Sequence, residues 1–163
     1  METKDLSELF LHTLKDVYFA ENAITKALPK MVKAAKSEQL KKAFESHLKQ
    51  TEGHVARLEK VFKQIGAKVE AVPCEAIKGI IKEGDEVADE FKGGKALDAG
   101  LIAAAQAVEH YEIARYGALA TWADELGHAD VVKLLEATLA EEKETDETLT
   151  QLAEKSVNLA AAA

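Results

Sequence analysis

The chain has 163 residues, with 21 lysines and arginines against 29 aspartates and glutamates, and its formal net charge at pH 7 is −8. This length fits one domain, residues 1–163, and the acidic balance argues against a partner bound through its phosphates, such as nucleic acid. With one cysteine, Cys74, no apolar run of roughly 18 residues and no signal-peptide pattern, we expect a cytoplasmic protein without an internal disulfide or membrane contact.

Apolar residues at helical spacing predict a long helix over residues 5–36. Pro29 interrupts the pattern without shifting its phase, which predicts a kink there, with a break near Leu28 as the alternative. Ser37 is a suitable N-cap for a second long helix, whose apolar stripe ends at Gly66. These two helices form the first predicted hairpin.

The second half of the chain predicts another hairpin after a long connection. A shorter helix is predicted over residues 74–91, and the glycine pair 93–94 marks a turn. Two long helices follow over residues 96–125 and 129–155. Because two hairpins joined by a long crossover form the ferritin-like arrangement, we predict an all-α, ferritin-like four-helix bundle with an additional short helix in the crossover.

Each long helix carries acidic or histidine side chains inside its apolar stripe. Unpaired carboxylates are costly to bury, so they reach solvent, pair with cations or bind a metal. The polar residues within the stripes are Glu21 on the first long helix, His47, Thr51 and His54 on the second, Glu109 and Glu112 on the third, and Glu142, Thr145 and Asp146 on the fourth.

The spacing of these residues predicts that they meet in the bundle centre. Glu21 and His54 are 33 residues apart, as are Glu109 and Glu142, so in two antiparallel hairpins the members of each pair face each other at a similar depth. Carboxylates with few histidines suit iron or manganese, with zinc as a further option, and nothing indicates an organic cofactor. The predicted metal ligands are Glu21, His54, Glu109 and Glu142, with Glu112 as a fifth.

Three segments resemble the YciE/YciF family of bacterial ferritin-like proteins. They are AAAQAVEHYEIA at residues 103–114, DVYFAE at residues 16–21 and EEKETD at residues 141–146, and the resemblance extends from Asp5 to Leu152. It implies a ferritin-like bundle, a homodimer and an association with stress responses, and it leaves the biochemical role open.

The chain matches the broader di-iron pattern of ferritin-like proteins only in part. That pattern has a Glu on each of two helices and a Glu-x-x-His pair on each of the other two. Glu21 and Glu109 match the single positions, whereas His54 and Glu142 each match half of a pair.

Threonines stand where the missing halves of those pairs would be, at Thr51 and Thr145. Glu112 is an additional acid, and His47 or Asp146 could contribute a ligand from one helical turn away. Metal binding therefore remains the expectation, whereas full ferroxidase chemistry is in question.

A structural interpretation competes with the functional one. The four glutamates would then lie at the stripe edges and pair with cations such as Arg115 or Lys143, and His54 would be a hydrogen-bonded core histidine. Several other candidates are better explained by structure alone, namely His12, His47, His110, His128, Tyr18, Tyr111, Tyr116, Trp122 and the thiol of Cys74.

Two functions agree with these patterns. The first is a stress-associated protein that binds one or two transition-metal ions and, if it is an enzyme, oxidises ferrous iron or consumes peroxide. The second is a non-enzymatic helical homodimer with a vestigial polar centre. Neither identifies a small-molecule substrate, and storage of iron in a large cage is the least favoured function.

Overall fold

The computed structural model describes residues 4–163, which form helices joined by short turns and one longer connection. Five long helices are present: α1 (Leu6–Ala34), α2 (Glu38–Gln64), α3 (Glu75–Glu90), α4 (Leu97–Glu125) and α5 (Ala129–Leu152). A π-helical turn (Ala153–Val157) and a short α6 (Asn158–Ala162) continue from α5. No strand occurs within the described residues, and the predicted all-α class is confirmed.

Helix α1 is fixed at its start by side chains and passes through its proline without ending. Asp5 accepts a hydrogen bond from the Glu8 amide, and the Glu8 carboxylate accepts one from the Asp5 amide, which makes a capping box. Pro29 lies inside the helix, so the alternative of a break near Leu28 is wrong. The apolar stripe continues past the proline, and its packing outweighs the lost backbone hydrogen bond.

The turns lie where the sequence predicts them. The hydroxyl of Ser37 accepts a hydrogen bond from the Leu40 amide and so caps α2. Gly66 and Gly127 follow the ends of α2 and α4 with φ of 70° and 76°, a conformation that favours glycine over residues with a side chain.

The four longest helices form two hairpins that pack face to face. Helix α1 packs along α2, and α4 packs along α5; between the hairpins, α2 contacts α5 and α1 contacts α4. Helix α3 lies in the crossover and covers α4 and α1. This is the predicted ferritin-like arrangement.

One buried carboxylate joins the two hairpins at their shared end. The two oxygens of Asp98, in the first turn of α4, accept hydrogen bonds from the amides of Lys36 (2.8 Å) and Ser37 (2.7 Å) in the α1–α2 turn.

The core consists of two apolar clusters with polar residues between them. The first, towards the α1–α2 turn, includes Leu28, Leu40, Phe44, Ile77 and Leu101, and the second, towards the opposite end, includes Phe10, Leu14, Leu58, Phe62 and Leu119. Burying each such side chain stabilises the fold by about 1.5–3 kcal/mol. Along the described part of the chain, none of the helices is both long and apolar enough to cross a bilayer.

Candidate metal centre

The layer between the two apolar clusters is lined by carboxylates and imidazoles. Glu21, Glu109, Glu112 and Glu142 are each at most 1% exposed. Among residues 4–163, none of these four glutamates forms an ion pair with a lysine or arginine; the basic side chains in close contact with Glu21, Glu109 and Glu142 are histidines. The alternative that they lie at stripe edges beside Arg115 or Lys143 is therefore wrong.

One group of four side chains comes from all four helices of the bundle. It comprises Glu21 of α1, His54 of α2, Glu112 of α4 and Glu142 of α5, and one ligand-type atom of each lies within 4.8 Å of the others. Nδ1 of His54 is 3.3 Å from Oε1 of Glu21 and 2.8 Å from Oε1 of Glu142. These four are among the five ligands predicted from the sequence.

A second group lies one helical turn away and shares Glu142 with the first. Its members are His47, Glu109 and Glu142, again with one atom of each within 4.8 Å of the others. Nε2 of His47 is 2.7 Å from Oε1 of Glu109. The shared carboxylate makes one continuous centre with two positions where a cation could be held.

The placement of Glu109 and His47 differs from the sequence-based expectation. Glu112, not Glu109, joins Glu21 and His54, and Glu109 instead faces His47. The two glutamates are three residues apart and share one face of α4, so equal sequence spacing could not decide which of them would reach His54. His47, which is 5% exposed, is thus part of the centre rather than a peripheral histidine.

The remaining ring nitrogen of His54 is held from outside the centre. Its Nε2 lies 2.8 Å from Oε2 of Glu141, and Arg57 donates two hydrogen bonds to the same carboxylate, at 2.8 and 2.7 Å. This pair leaves Nδ1 of His54 facing the glutamates. The sequence pattern missed Glu141 because it lies in an acidic run, residues 141–147, and charged residues in such a run are usually exposed to solvent.

Tyr116 reaches the centre from one of the apolar clusters. Its side chain is fully buried, and its hydroxyl donates a hydrogen bond of 2.5 Å to Oε1 of Glu21. Burial, together with the negative charge of Glu21, raises the pKa of Tyr116 well above its ordinary value, so the phenol stays protonated. Tyr116, which the sequence analysis explained as a structural aromatic residue, therefore also orients the carboxylate of Glu21.

The other polar residues of the stripes take supporting positions. Thr51 is buried and donates its hydroxyl hydrogen to the backbone oxygen of His47. Thr145 donates to Gln50 and lies 3.5 Å from Nδ1 of His47. Asp146 instead contacts the exposed His110 at the bundle surface and belongs to neither group.

The close packing of acids and imidazoles shifts their pKa values. Burial lowers the pKa of His54, but the Glu142 and Glu21 carboxylates outweigh that effect and raise it to about 10. Burial and the neighbouring carboxylates raise the pKa values of Glu109 and Glu112. Burial also acts to raise the pKa of Glu142, yet contacts with Glu109, His54 and Glu112 bring it below its ordinary value. Without a metal, the centre therefore holds protons shared around an ionised Glu142.

The hydrogen bonds of this centre are incomplete in a way that fits a metal. Eight fully enclosed side-chain atoms have no hydrogen-bond partner among residues 4–163: Oε2 of Glu21, Nε2 of His47, Nδ1 of His54, Oε2 of Glu109 and both carboxylate oxygens of Glu112 and Glu142. The close contacts of His47 Nε2 with Glu109 and of His54 Nδ1 with Glu142 are thus not aligned as hydrogen bonds. Two ligand atoms that are each about 2.1 Å from one metal ion, with an angle of about 90° between the two bonds, lie about 3 Å apart. The His47–Glu109 and His54–Glu142 distances of 2.7 and 2.8 Å are close to this value.

Comparison with known proteins agrees with the resemblance seen in the sequence. Residues 5–162 match the family model described as "Domain of unknown function (DUF892)". The chain is 45% identical over 159 residues to Protein YciF of Escherichia coli K12, covering 97% of this chain and 96% of that protein.

Solved structures show the same fold. The crystal structure of the E. coli stress protein YciF has a TM-score of 0.91 at 44% identity and covers 96% of this chain and 99% of that one. YcfI of Rhodopseudomonas palustris has a TM-score of 0.88 at 50% identity and covers 90% and 94%. A protein of Xanthomonas campestris at 22% identity, with a TM-score of 0.75 and 96% of both chains covered, is similar in fold alone.

Proposed function

The chain belongs to the YciE/YciF family of bacterial ferritin-like proteins, and from this premise we propose that its buried centre binds one or two transition-metal ions. One position uses Glu21, His54, Glu112 and Glu142, and the other uses His47, Glu109 and Glu142. The eight enclosed atoms without hydrogen-bond partners in the described chain carry this proposal, because burying so many unsatisfied polar atoms is costly unless a cation completes their contacts.

The chemistry of the donors favours iron or manganese, with zinc as a third option. Four carboxylates and two imidazoles form a mixed oxygen and nitrogen set without thiolate, which suits these metals better than copper(I) or calcium. Iron or manganese would supply one-electron redox chemistry, such as oxidation by dioxygen or consumption of peroxide. The residues of the chain would hold the ions in a layer between the two apolar clusters, and Tyr116 and Glu141 orient two of the ligands.

The number of metals per chain tests the proposal. Purified parent protein, loaded anaerobically with Fe(II) or with Mn(II) and desalted, should retain up to two ions by elemental analysis. Glu142→Gln should lose both because Glu142 is shared, whereas His47→Asn should lose only the second position. His110→Asn is the matched control, since His110 is exposed on the bundle surface. Equal metal contents in the parent and Glu142→Gln proteins would refute the proposal.

A second candidate function is a non-enzymatic helical dimer with a vestigial centre. Thr51 and Thr145 favour it, because both stand where the di-iron pattern has ligands and both bind protein groups instead. This function predicts an unfolding midpoint that does not change with Fe(II), Mn(II) or Zn(II), whereas an ion bound to the native state raises it.

The cellular role that we propose rests on a relative of the chain. E. coli YciF is described as a stress protein, and we propose a stress-associated cytoplasmic role for this chain. Homodimerisation, implied by the resemblance, is checked by the molar mass in light scattering.

A further inference from the structure

We propose that an apolar cavity between α1, α3 and α4 is a binding site for dioxygen beside the His47–Glu109 end of the centre. This inference deepens the proposed function and rests on it for its chemical purpose. The cavity itself can be tested without any metal.

The cavity lies between the protein surface and the second group of candidate ligands. Its outer end is lined by Lys30 and Asp85, whose charged groups are 4.0 Å apart, and its inner end by the buried His47 and Glu109. Between these ends every lining residue is apolar or glycine, including Ile24, Leu28, Ile81, Leu101, Ala105 and Val108. A small molecule held there lies next to the second candidate metal position.

The size and lining of the cavity select its occupant. Its volume is about 60 Å³, less than half of the about 150 Å³ of an apolar cavity that holds benzene. An aromatic ring is therefore too large. Water and hydrogen peroxide would lose hydrogen bonds against the apolar wall, a cost that dioxygen does not have. These limits leave a diatomic apolar gas as the best fit.

The opposite side of His47 has the contrasting character. A second cavity of about 120 Å³ lies between α2 and α5. Besides Ala43 and Leu149, its lining consists of His47 and five polar residues, Ser46, Gln50, Glu144, Thr145 and Thr148. Polar solutes, among them peroxide and hydrated metal ions, can keep hydrogen bonds along this wall. His47 thus lies between a polar side and an apolar side, which separates the routes of the two classes of reactant.

Two glycines of α3 provide a matched pair of variants. Gly84 lines the apolar cavity, and a Cβ placed on it would lie 3.4 Å from Cβ of Ala104. Gly79 does not line it, and a Cβ placed there meets nothing within 4 Å. Gly84→Leu fills the cavity, whereas Gly79→Leu makes the same change of residue type on the same helix. Ala27→Leu fills the cavity from α1 and covers the case in which Gly84→Leu displaces α3.

The first test uses xenon as a probe of the metal-free protein. Crystals pressurised with xenon should show an anomalous peak in this cavity for the parent and Gly79→Leu proteins, and none for Gly84→Leu or Ala27→Leu. Absence of the peak in the parent protein would overturn the proposal. Because this measurement needs no metal, its result does not depend on whether the centre binds iron.

The second test follows oxidation of the Fe(II)-loaded protein by absorbance. In the reaction with dioxygen, two Fe(II) ions lose one electron each, and dioxygen takes these two electrons and two protons to form hydrogen peroxide. Gly84→Leu and Ala27→Leu should slow this reaction roughly tenfold, equivalent to about 1.4 kcal/mol on the barrier. Oxidation by added peroxide should keep the parent rate.

Equal slowing by both oxidants, or an unchanged rate with dioxygen, would overturn the role of the cavity even if the metal content is normal. Loss of iron binding in the parent protein would instead overturn the proposed function, and the xenon result would still decide whether the cavity takes an apolar gas.

Discussion

The outer contact of His54 decides which of its ring nitrogens faces the centre. Glu141 occupies Nε2 and is itself fixed by Arg57. In metal sites a carboxylate of this kind holds the imidazole in orientation and makes it a better ligand. Glu141 is therefore a positioning residue for Nδ1 of His54, although it belongs to neither group of candidate ligands.

Removal of this contact should weaken metal binding without removing a ligand. We expect Glu141→Ala to lower the affinity for Zn(II) or Mn(II) by about 10–100-fold, measured by competition with a chelator. Glu136→Ala, on the same helix and exposed, serves as the control. An affinity equal to that of the parent protein would show that Glu141 is only part of a surface ion pair.

At the level of single residues, the sequence predicted the members of the centre better than their grouping. An acid inside an apolar stripe is a strong signal because burial without a partner is costly, and Glu21 and Glu142 were identified on that basis. The grouping of Glu109 with His47 depends on how far one hairpin is displaced along the other. Packing between hairpins sets that displacement, and helical periodicity within one segment does not contain it.

The start of α1 depends on two side chains that satisfy each other's backbone amides. Asp5→Ala removes the acceptor for the Glu8 amide, and we expect it to lower the free energy of unfolding by about 1 kcal/mol. Urea unfolding followed by circular dichroism measures the change. Ser7→Ala, an exposed change in the same turn, should be nearly neutral. Equal effects of the two substitutions would indicate that the cap contributes nothing specific.

At the level of elements, periodicity and glycine signals predicted the helices to within a few residues. The largest difference is at the end of α5, where a π-helical turn replaces the predicted regular helix up to residue 155. A π-turn inserts one residue per turn without a distinct sequence signal, so hydrophobic spacing alone could not reveal it. Pro29 shows the reverse case, because the apolar stripe on both sides correctly favoured continuity over a break.

At the level of the whole molecule, a polar layer that contains His54, Glu109 and Glu112 and retains protons lies between two apolar clusters. In the folded, metal-free protein, His54, Glu109 and Glu112 have raised pKa values, so they keep protons that the unfolded chain releases near pH 6.5 and 4.5. The stability that these protons provide is present at low pH and lost as pH rises. The lowered pKa values of Glu142 and His47 act in the opposite direction, since their contribution to stability is lost as pH falls. For Glu142 this loss occurs only in acid, and for His47 it begins near the ordinary histidine pKa of about 6.5.

These signs predict that the metal-free protein is less stable at pH 8 than at pH 6, by at least about 1 kcal/mol. Thermal unfolding in the presence of a chelator measures the difference. Glu112→Gln removes one of the retained protons and should reduce the dependence on pH. A bound metal displaces these protons, so added Zn(II) should raise the unfolding midpoint more at pH 8 than at pH 6. Stability that does not change with pH in the chelated parent protein would contradict the protonated layer.

The contact of Asp98 with the α1–α2 turn has a consequence for the order of folding. Its carboxylate binds the amides of Lys36 and Ser37, which precede Asp98 by 62 and 61 positions in the sequence. Asp98 belongs to the second hairpin, whereas these two residues belong to the turn of the first. Each hairpin can form through local contacts first, whereas this link requires the hairpins to dock, a step that comes late because long loops close at an entropic cost. We expect Asp98→Ala to speed unfolding in stopped-flow measurements and to leave the folding rate nearly unchanged. Asp98 would then set how long the two halves of the centre stay together once they have met.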